Sequence, residues 1–177
     1  AASDVYKRQD GVLHREGSVI PGAEEFIGTL RDEGIEFMVL TNNSMQTPRD
    51  LSARLMRMGL EIEPERIWTS ATATARLLSQ QAATASAYVI GEAGLTTALH
   101  EVGWILTDAD PDFVVLGETR TYSFEALTTA CNLILRGSRF IATNPDMTGP
   151  GPNGVIPATG SVAVSYTHLT LPTNREV

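Results

Sequence analysis

The chain has 177 residues, enough to bury a useful core as one ordinary domain or two small ones. With 42% hydrophobic residues and little low-complexity sequence it reads as globular, and a formal net charge of -8 excludes a nucleic-acid binder, which that charge would repel. A small anionic ligand is not excluded, since one locally positive pocket suffices for it.

Helical and extended patterns alternate along the chain with short punctuation, as in parallel α/β layers. Pro21-Gly22-Ala23 opens a helix with Ala23, Phe26, Ile27 and Leu30 on one face and Gly34 as its stop. IEFMVL (35–40) follows as an apolar run expected of a strand buried on both faces. Thr47-Pro48-Arg49-Asp50 is a helix start, with Leu51, Leu55 and Met58 repeating before Gly59. Ile67-Trp68-Thr69 reads as a short strand, and Ser70 as the cap of a helix over 71–81. QQAATAS (80–86) is small, polar and without apolar period, the best internal boundary. Beyond it come a strand at 87–90, a helix at 95–102, a strand at 113–116, a helix at 123–136 carrying Leu127, Cys131 and Ile134, and a strand at 140–143.

No apolar run approaches the ~18 residues of a membrane helix, and no secretory signal is evident. The single cysteine, Cys131, is read as a core residue of a helix face and fits a reducing cytoplasm. Lys7 is the only lysine; the other twelve of the thirteen basic residues are arginines. His14 is expected on a solvent-facing loop and His100 on a helix surface; neither has the spacing of a zinc site.

Both ends break this grammar. Lys7-Arg8-Gln9 puts long polar residues where a strand feeding an α/β site should be apolar, and the stretch 164–177 has neither helix spacing nor strand punctuation. DVYKRQ and SYTHLTLPT resemble translated adapter sequence. Residues 1–9 and 164–177 are therefore read as tails foreign to the natural protein and left out of the fold reading.

Two short motifs carry chemistry. Asp10-Gly11 is a common turn dipeptide, and Thr41-Asn42-Asn43-Ser44 has the composition of a turn or a helix cap. Their joint placement says more. A carboxylate near one strand end, then a helix, then a strand ending in a hydroxyl and amides puts both groups on one edge of a parallel sheet, where ligands of open α/β folds bind. A Thr hydroxyl with the backbone N–H groups that follow can hold a phosphate oxygen. Gly91-Glu92-Ala93-Gly94 lacks the spacing of G-x-G-x-x-G and reads as a tight strand-helix turn, with nucleotide binding the lesser alternative.

The blocks DGVLHREGSVIPGAEEFI, VLTNNSMQTPRDL, YVIGEAGLTTALHEVGW, PDFVVLGETRTYSFEAL and RFIATNPD, in this order, resemble the NagD-like branch of the haloacid dehalogenase superfamily, mostly phosphatases. The likeness covers about residues 10 to 163. It implies a Rossmann-like parallel-sheet core, present only in its N-terminal part (10–82), with an inserted α/β cap nearly complete at 83–163. It further implies that Asp10 is the general acid/base and offers its backbone carbonyl to Mg²⁺. Arg8 occupies the position of the nucleophilic Asp, beside Gly11 of the same motif. Thr41, with the Asn42 N–H and Gly11, would bind phosphate. Asn144 and Asp146 would lie near the substrate-specificity loop, and Arg120 is a candidate for the cap's inner face, against a plain surface arginine. The family's later lysine and acidic metal ligands would fall after the cap, beyond the end of this chain.

The expectation is thus a parent Mg²⁺-dependent cytoplasmic phosphatase acting on small phosphorylated metabolites, nucleotide or sugar phosphates, without nucleic-acid or membrane partners. A homo-oligomer is compatible with the sequence. The chain as written is expected to be inactive, because arginine is always protonated and cannot attack phosphorus. A non-catalytic phosphate-sensing or interaction module is the alternative, and a nucleotide-dependent oxidoreductase using the Gly91 turn a weaker third. A core lacking its second half would leave the strand after 35–40 with an unpaired neighbour and exposed apolar surface.

Overall fold

The computed structural model describes residues 5–8, 12–15, 17–151 and 154–170, with the backbone alone at 5–8, 15, 150, 168 and 170. Strand β1 (Val5–Arg8) is followed by the short antiparallel pair β2 (His14–Arg15) and β3 (Ser18–Val19). His14, expected to face solvent, is only 4% exposed. The neighbouring Leu13 is buried in the first core, and the hairpin lays this segment against it rather than leaving a free loop.

Helix α1 (Ala23–Asp32) is entered through Gly22 at φ 86°, a left-handed conformation that suits glycine. It buries Ala23, Ile27 and Leu30, while Phe26 is 39% exposed. An apolar stripe is only ~100° wide, and Phe26 sits at its flank. Strand β4 (Phe37–Thr41) buries Phe37, Val39 and Thr41 and half-buries Met38 and Leu40, so it is less enclosed than the apolar run suggests.

Helix α2 (Pro48–Arg57) begins with the expected capping box, in which the Thr47 hydroxyl accepts the Asp50 N–H and the Asp50 carboxylate accepts the Thr47 N–H. A 3₁₀ turn at Pro64–Arg66 leads into β5 (Ile67–Thr69) and α3 (Ser70–Gln81). Thr69, not Ser70, caps α3 by accepting the Thr72 N–H at 3.0 Å.

The first sheet has the order β1-β4-β5 and is parallel, with Arg8 opposite Leu40 and Thr41 opposite Thr69. Residues 5–8, set aside in the sequence reading, thus complete the sheet. A ladder is made of backbone N–H and C=O groups, so long polar side chains do not prevent it. Strand β4 accordingly has a neighbour on each side, while β5, the strand after it, stands at the edge of this sheet among the described residues.

The second sheet comprises β6 (Ser86–Ile90), β7 (Ile105–Leu106), β8 (Phe113–Leu116) and β9 (Arg139–Ala142), all parallel, in the order β7-β6-β8-β9. Helix α4 (Ala93–Glu101) connects β6 to β7, and α5 (Phe124–Leu135) connects β8 to β9. A hairpin of β10 (Thr148–Gly151) and β11 (Gly154–Pro157) precedes α6 (Thr159–Thr170). Every residue of β8 is buried, because two cores sandwich it. Phe113 and Val115 pack with Leu95, Leu99 and Trp104 on one side; Val114 and Leu116 pack with Leu133, Ile134 and Tyr166 on the other. Helix α3 contributes Ala71, Ala75 and Leu78 to the first of these cores. The linker at 80–86 therefore falls between α3 and β6 in the chain, yet α3 is packed with the sheet that follows it.

The stretch from 164 onward, expected to have no regular structure, continues α6 to Thr170. Tyr166 explains why: its ring is fully buried, 5.1 Å from that of Phe140, and tertiary packing outweighs weak helix periodicity. Its hydroxyl has no hydrogen-bond partner among the described residues, and burial pushes the phenol above its ordinary pKa. Tyr166→Phe is expected to raise stability by about 1 kcal/mol, and Tyr166→Ala to lower it by about 3–5 kcal/mol, measured by urea unfolding.

Asp112 ties the start of β8 to β6, accepting the Ser86 N–H and hydroxyl, both at 2.8 Å. These bonds hold its carboxyl below the ordinary value of 3.8. The contribution is full above that value and is lost as pH falls through the lower, folded-state value. Asp112→Asn should therefore lower the thermal midpoint near neutrality, and the difference from the unsubstituted chain should shrink as pH falls below 3.8.

Candidate functional site

The residues after β4 form a tight, self-bonded loop. Asn43 donates its backbone N–H to the Thr41 hydroxyl oxygen at 3.2 Å. The Asn43 side-chain oxygen accepts from the N–H groups of Met45 and Gln46, at 3.0 and 2.9 Å. Thr41 is 7% exposed, and its hydroxyl, used here as an acceptor, retains a proton to donate.

Two further segments close on this loop. Ser70, the first residue of α3, donates its hydroxyl to the Asn42 carbonyl at 2.8 Å, and Asn144 donates its side-chain amide to the same oxygen at 3.3 Å. The Asn42 side-chain amide donates to the Asp146 carboxylate. Asp146 is oriented in turn by its N–H, which donates to the Asn144 side-chain oxygen at 3.0 Å, and by its carbonyl, which accepts the Gly160 N–H at 2.8 Å. At Gly160 an added Cβ would lie 2.2 Å from the Pro145 carbonyl, so the start of α6 can approach 145–146 only without a side chain.

Thr41, Asn42, Asn144 and Asp146 are therefore brought together across about a hundred residues of chain, at the C-terminal ends of β4 and β9. Arg120 is exposed, in the loop after β8 that also holds Thr119 and Thr121. Asp10 and Gly11 lie outside the described residues, as does the Arg8 side chain. The Arg8 backbone ends β1 opposite Leu40, one residue before Thr41.

Among the described residues no three His, Cys, Asp or Glu side chains are grouped to hold a metal ion, and the Asp146 carboxylate is engaged by Asn42. A cleft of about 560 Å³ lies at the other end of the second sheet, among Asp112, Phe113, Arg136 and Arg139, away from this loop.

The sequence reading missed four participants. Asn43 shapes the loop, Ser70 and Ser44 anchor it, and the Gly91–Gly94 turn meets it: Gly94 donates its N–H to the Met45 carbonyl at 2.9 Å. Asn43 and Ser44 stood inside the quoted TNNS motif, but partners 74 residues away, such as Glu118 for Ser44, leave no local signal.

A family model described as haloacid dehalogenase-like hydrolase matches residues 8–105. A dihydroxyacetone phosphatase of Corynebacterium glutamicum (strain R) is 69% identical over 161 residues, which cover 91% of this chain and 58% of that protein. The ribonucleotide monophosphatase NagD of Escherichia coli (strain K12) is 40% identical over 153 residues, covering 86% of this chain and 60% of that one. This chain thus spans 58 to 60% of the length of these relatives. Among solved structures, a hypothetical protein from Pyrococcus horikoshii OT3 superposes with a TM-score of 0.90 at 34% identity, covering 94% of this chain and 67% of that one. NagD from E. coli K-12 superposes with a TM-score of 0.85 at 38% identity, covering 94% and 65%. Together with the strand order and the loop after β4, these likenesses establish that the chain belongs to the haloacid dehalogenase-like hydrolases, in their NagD-like branch.

Proposed function

We propose that the whole protein hydrolyses small phosphate monoesters, of sugar-phosphate or nucleotide type, and that the loop at 41–46 grips the phosphoryl group. The observation that carries this reading is the Thr41 hydroxyl, buried at the end of β4, accepting from Asn43 and holding a proton for an anionic oxygen. The names of similar proteins, a dihydroxyacetone phosphatase and a ribonucleotide monophosphatase, support the ester class. A low-molecular-weight substrate in a cytoplasmic setting, without a nucleic-acid or membrane partner, belongs to the same proposal. The charge of -8 supports it, and no helix among the described residues is long and apolar enough to cross a membrane. Assembly into a homo-oligomer is compatible with it.

Asn144 and Asp146 act as positioning groups: they hold the Asn42 peptide and side chain, and with them the loop. Asp10 is the proposed general acid/base, giving a proton to the leaving oxygen and then taking one from water. Mg²⁺, when bound, would neutralise charge on the transferring group, with the Asp10 carbonyl as one donor.

The 177 residues themselves bind phosphate without cleaving an ester. Position 8, which the family resemblance assigns to the nucleophile, carries arginine, whose guanidinium stays protonated and cannot form an aspartyl-phosphate. Phosphate monoester hydrolysis needs accelerations up to ~10²¹-fold, and loss of essential groups costs roughly 10⁴ to 10⁶ in rate. The same arginine favours a second reading, a phosphate-sensing module in which binding is the function.

Calorimetric titration of the 177-residue chain with orthophosphate should show binding, weakened about tenfold or more by Thr41→Val. With p-nitrophenyl phosphate no turnover is expected, with or without Mg²⁺. Turnover abolished by Asp10→Asn would overturn the inactive assignment; absence of phosphate binding would overturn the reading of the loop.

A further inference from the structure

Ser44 is fully buried, three residues past Thr41, yet its polar contact is made to the other sheet. Its hydroxyl oxygen accepts the backbone N–H of Glu118, just beyond β8, at 2.8 Å. The next residue repeats the pattern: the Met45 carbonyl accepts the N–H of Gly94, at the start of α4, at 2.9 Å. Both donors are backbone groups at the ends of packed elements, so their positions are set by the second sheet.

The approach leaves no room for side chains. A Cβ on Gly94 would stand 2.6 Å from the Gln46 carbonyl and 2.7 Å from that of Ser44. A Cβ on Gly117 would stand 2.8 Å from Leu95 and 3.1 Å from the Ser44 hydroxyl. The loops that carry the two donors are joined to each other as well, since the Thr119 hydroxyl donates to the Glu92 carboxylate. Gly117 in turn donates to the Ile90 carbonyl at 2.7 Å, fixing the end of β8 to the end of β6.

We infer that Ser44 is a positioning residue for phosphate binding: through its bond to Glu118 it sets the course of the loop and hence the direction of the Thr41 hydroxyl. The inference rests on the reading of that loop as the phosphoryl grip. The link to Thr41 is short. Asn43 lies between them and gives its N–H to the Thr41 oxygen, so a shift at 44 moves the group that orients the hydroxyl. Binding geometry tolerates only about 0.5 Å of displacement before affinity falls.

The test measures orthophosphate affinity and thermal midpoint on the 177-residue chain and its variants. Ser44→Ala removes the acceptor for the Glu118 N–H. Ser52→Ala is the control: Ser52 is also buried and donates to the Ile62 carbonyl at 2.6 Å, on the far side of α2's first core, so its loss lowers stability without touching the loop. Ser44→Ala should weaken phosphate binding about tenfold, while Ser52→Ala, with a comparable fall in midpoint, binds as the unsubstituted chain does. Unchanged affinity in Ser44→Ala, or an equal loss in Ser52→Ala, overturns the inference. Should Ser44→Ala not fold, Ser44→Cys, which keeps the volume and weakens the acceptor, carries the same comparison: weakened binding supports the inference and unchanged binding overturns it. If the unsubstituted chain does not bind phosphate, or Thr41→Val binds equally well, the reading of the loop fails and the inference with it; failure of Ser44 alone leaves that reading standing.

Discussion

Two parallel sheets meet here by their C-terminal ends, and the meeting depends on backbone lying against backbone. Gly94 and Gly160 stand where a Cβ would come within 2.6 Å or less of a carbonyl oxygen on the facing segment, and Gly117 where it would crowd Leu95 and Ser44. A methyl group at any of the three would push apart segments that now exchange hydrogen bonds. The contacts that follow, from Glu118 to Ser44, from Gly94 to Met45 and from Asn144 to Asn42, exist only because that distance is available.

The closeness has a chemical consequence. The six residues from Thr41 to Gln46 turn sharply, and a turn buried between two sheets would leave costly unpaired polar groups unless each found a partner. Local side chains satisfy some of them, through Asn43; the rest are met by Ser70, Asn144, Glu118 and Gly94. The Thr41 hydroxyl emerges from this accounting as an acceptor whose proton is not committed within the loop. For the phosphoryl oxygen proposed to bind there, that would be a donor prepared in advance, and a prepared donor costs less on binding than one that must first be reoriented.

Strand β1 shows how far folding and catalysis can diverge at one place. Its backbone pairs with β4 through Val5, Tyr6, Lys7 and Arg8 in regular parallel register, because the ladder reads main-chain groups only. Catalysis by a covalent route reads the side chain, and an arginine supplies no attacking oxygen. A fold can therefore accept at position 8 what the proposed chemistry cannot. The same logic applies at the other end, where Tyr166 anchors α6 by its ring while its hydroxyl has no hydrogen-bond partner among the described residues.

Local rules sufficed for much of this molecule. Pro48 after a capping threonine, glycines at helix ends and the apolar runs of β4 and β8 announce their elements, because capping, left-handed turns and burial act within a few residues. The motif TNNS and the segment NPD were visible as candidates for the same reason. What remained hidden required partners far along the chain. No spacing rule could assign α3 to the core of the second sheet, keep His14 from solvent, extend α6 past residue 164 or join Ser44 to Glu118. The amino-acid order by itself determined most of the elements from α1 to β9 and which residues could carry phosphate chemistry. Only the tertiary structure decided which of them meet, because that is set by the close approach of surfaces whose residues lie 74 to 104 positions apart.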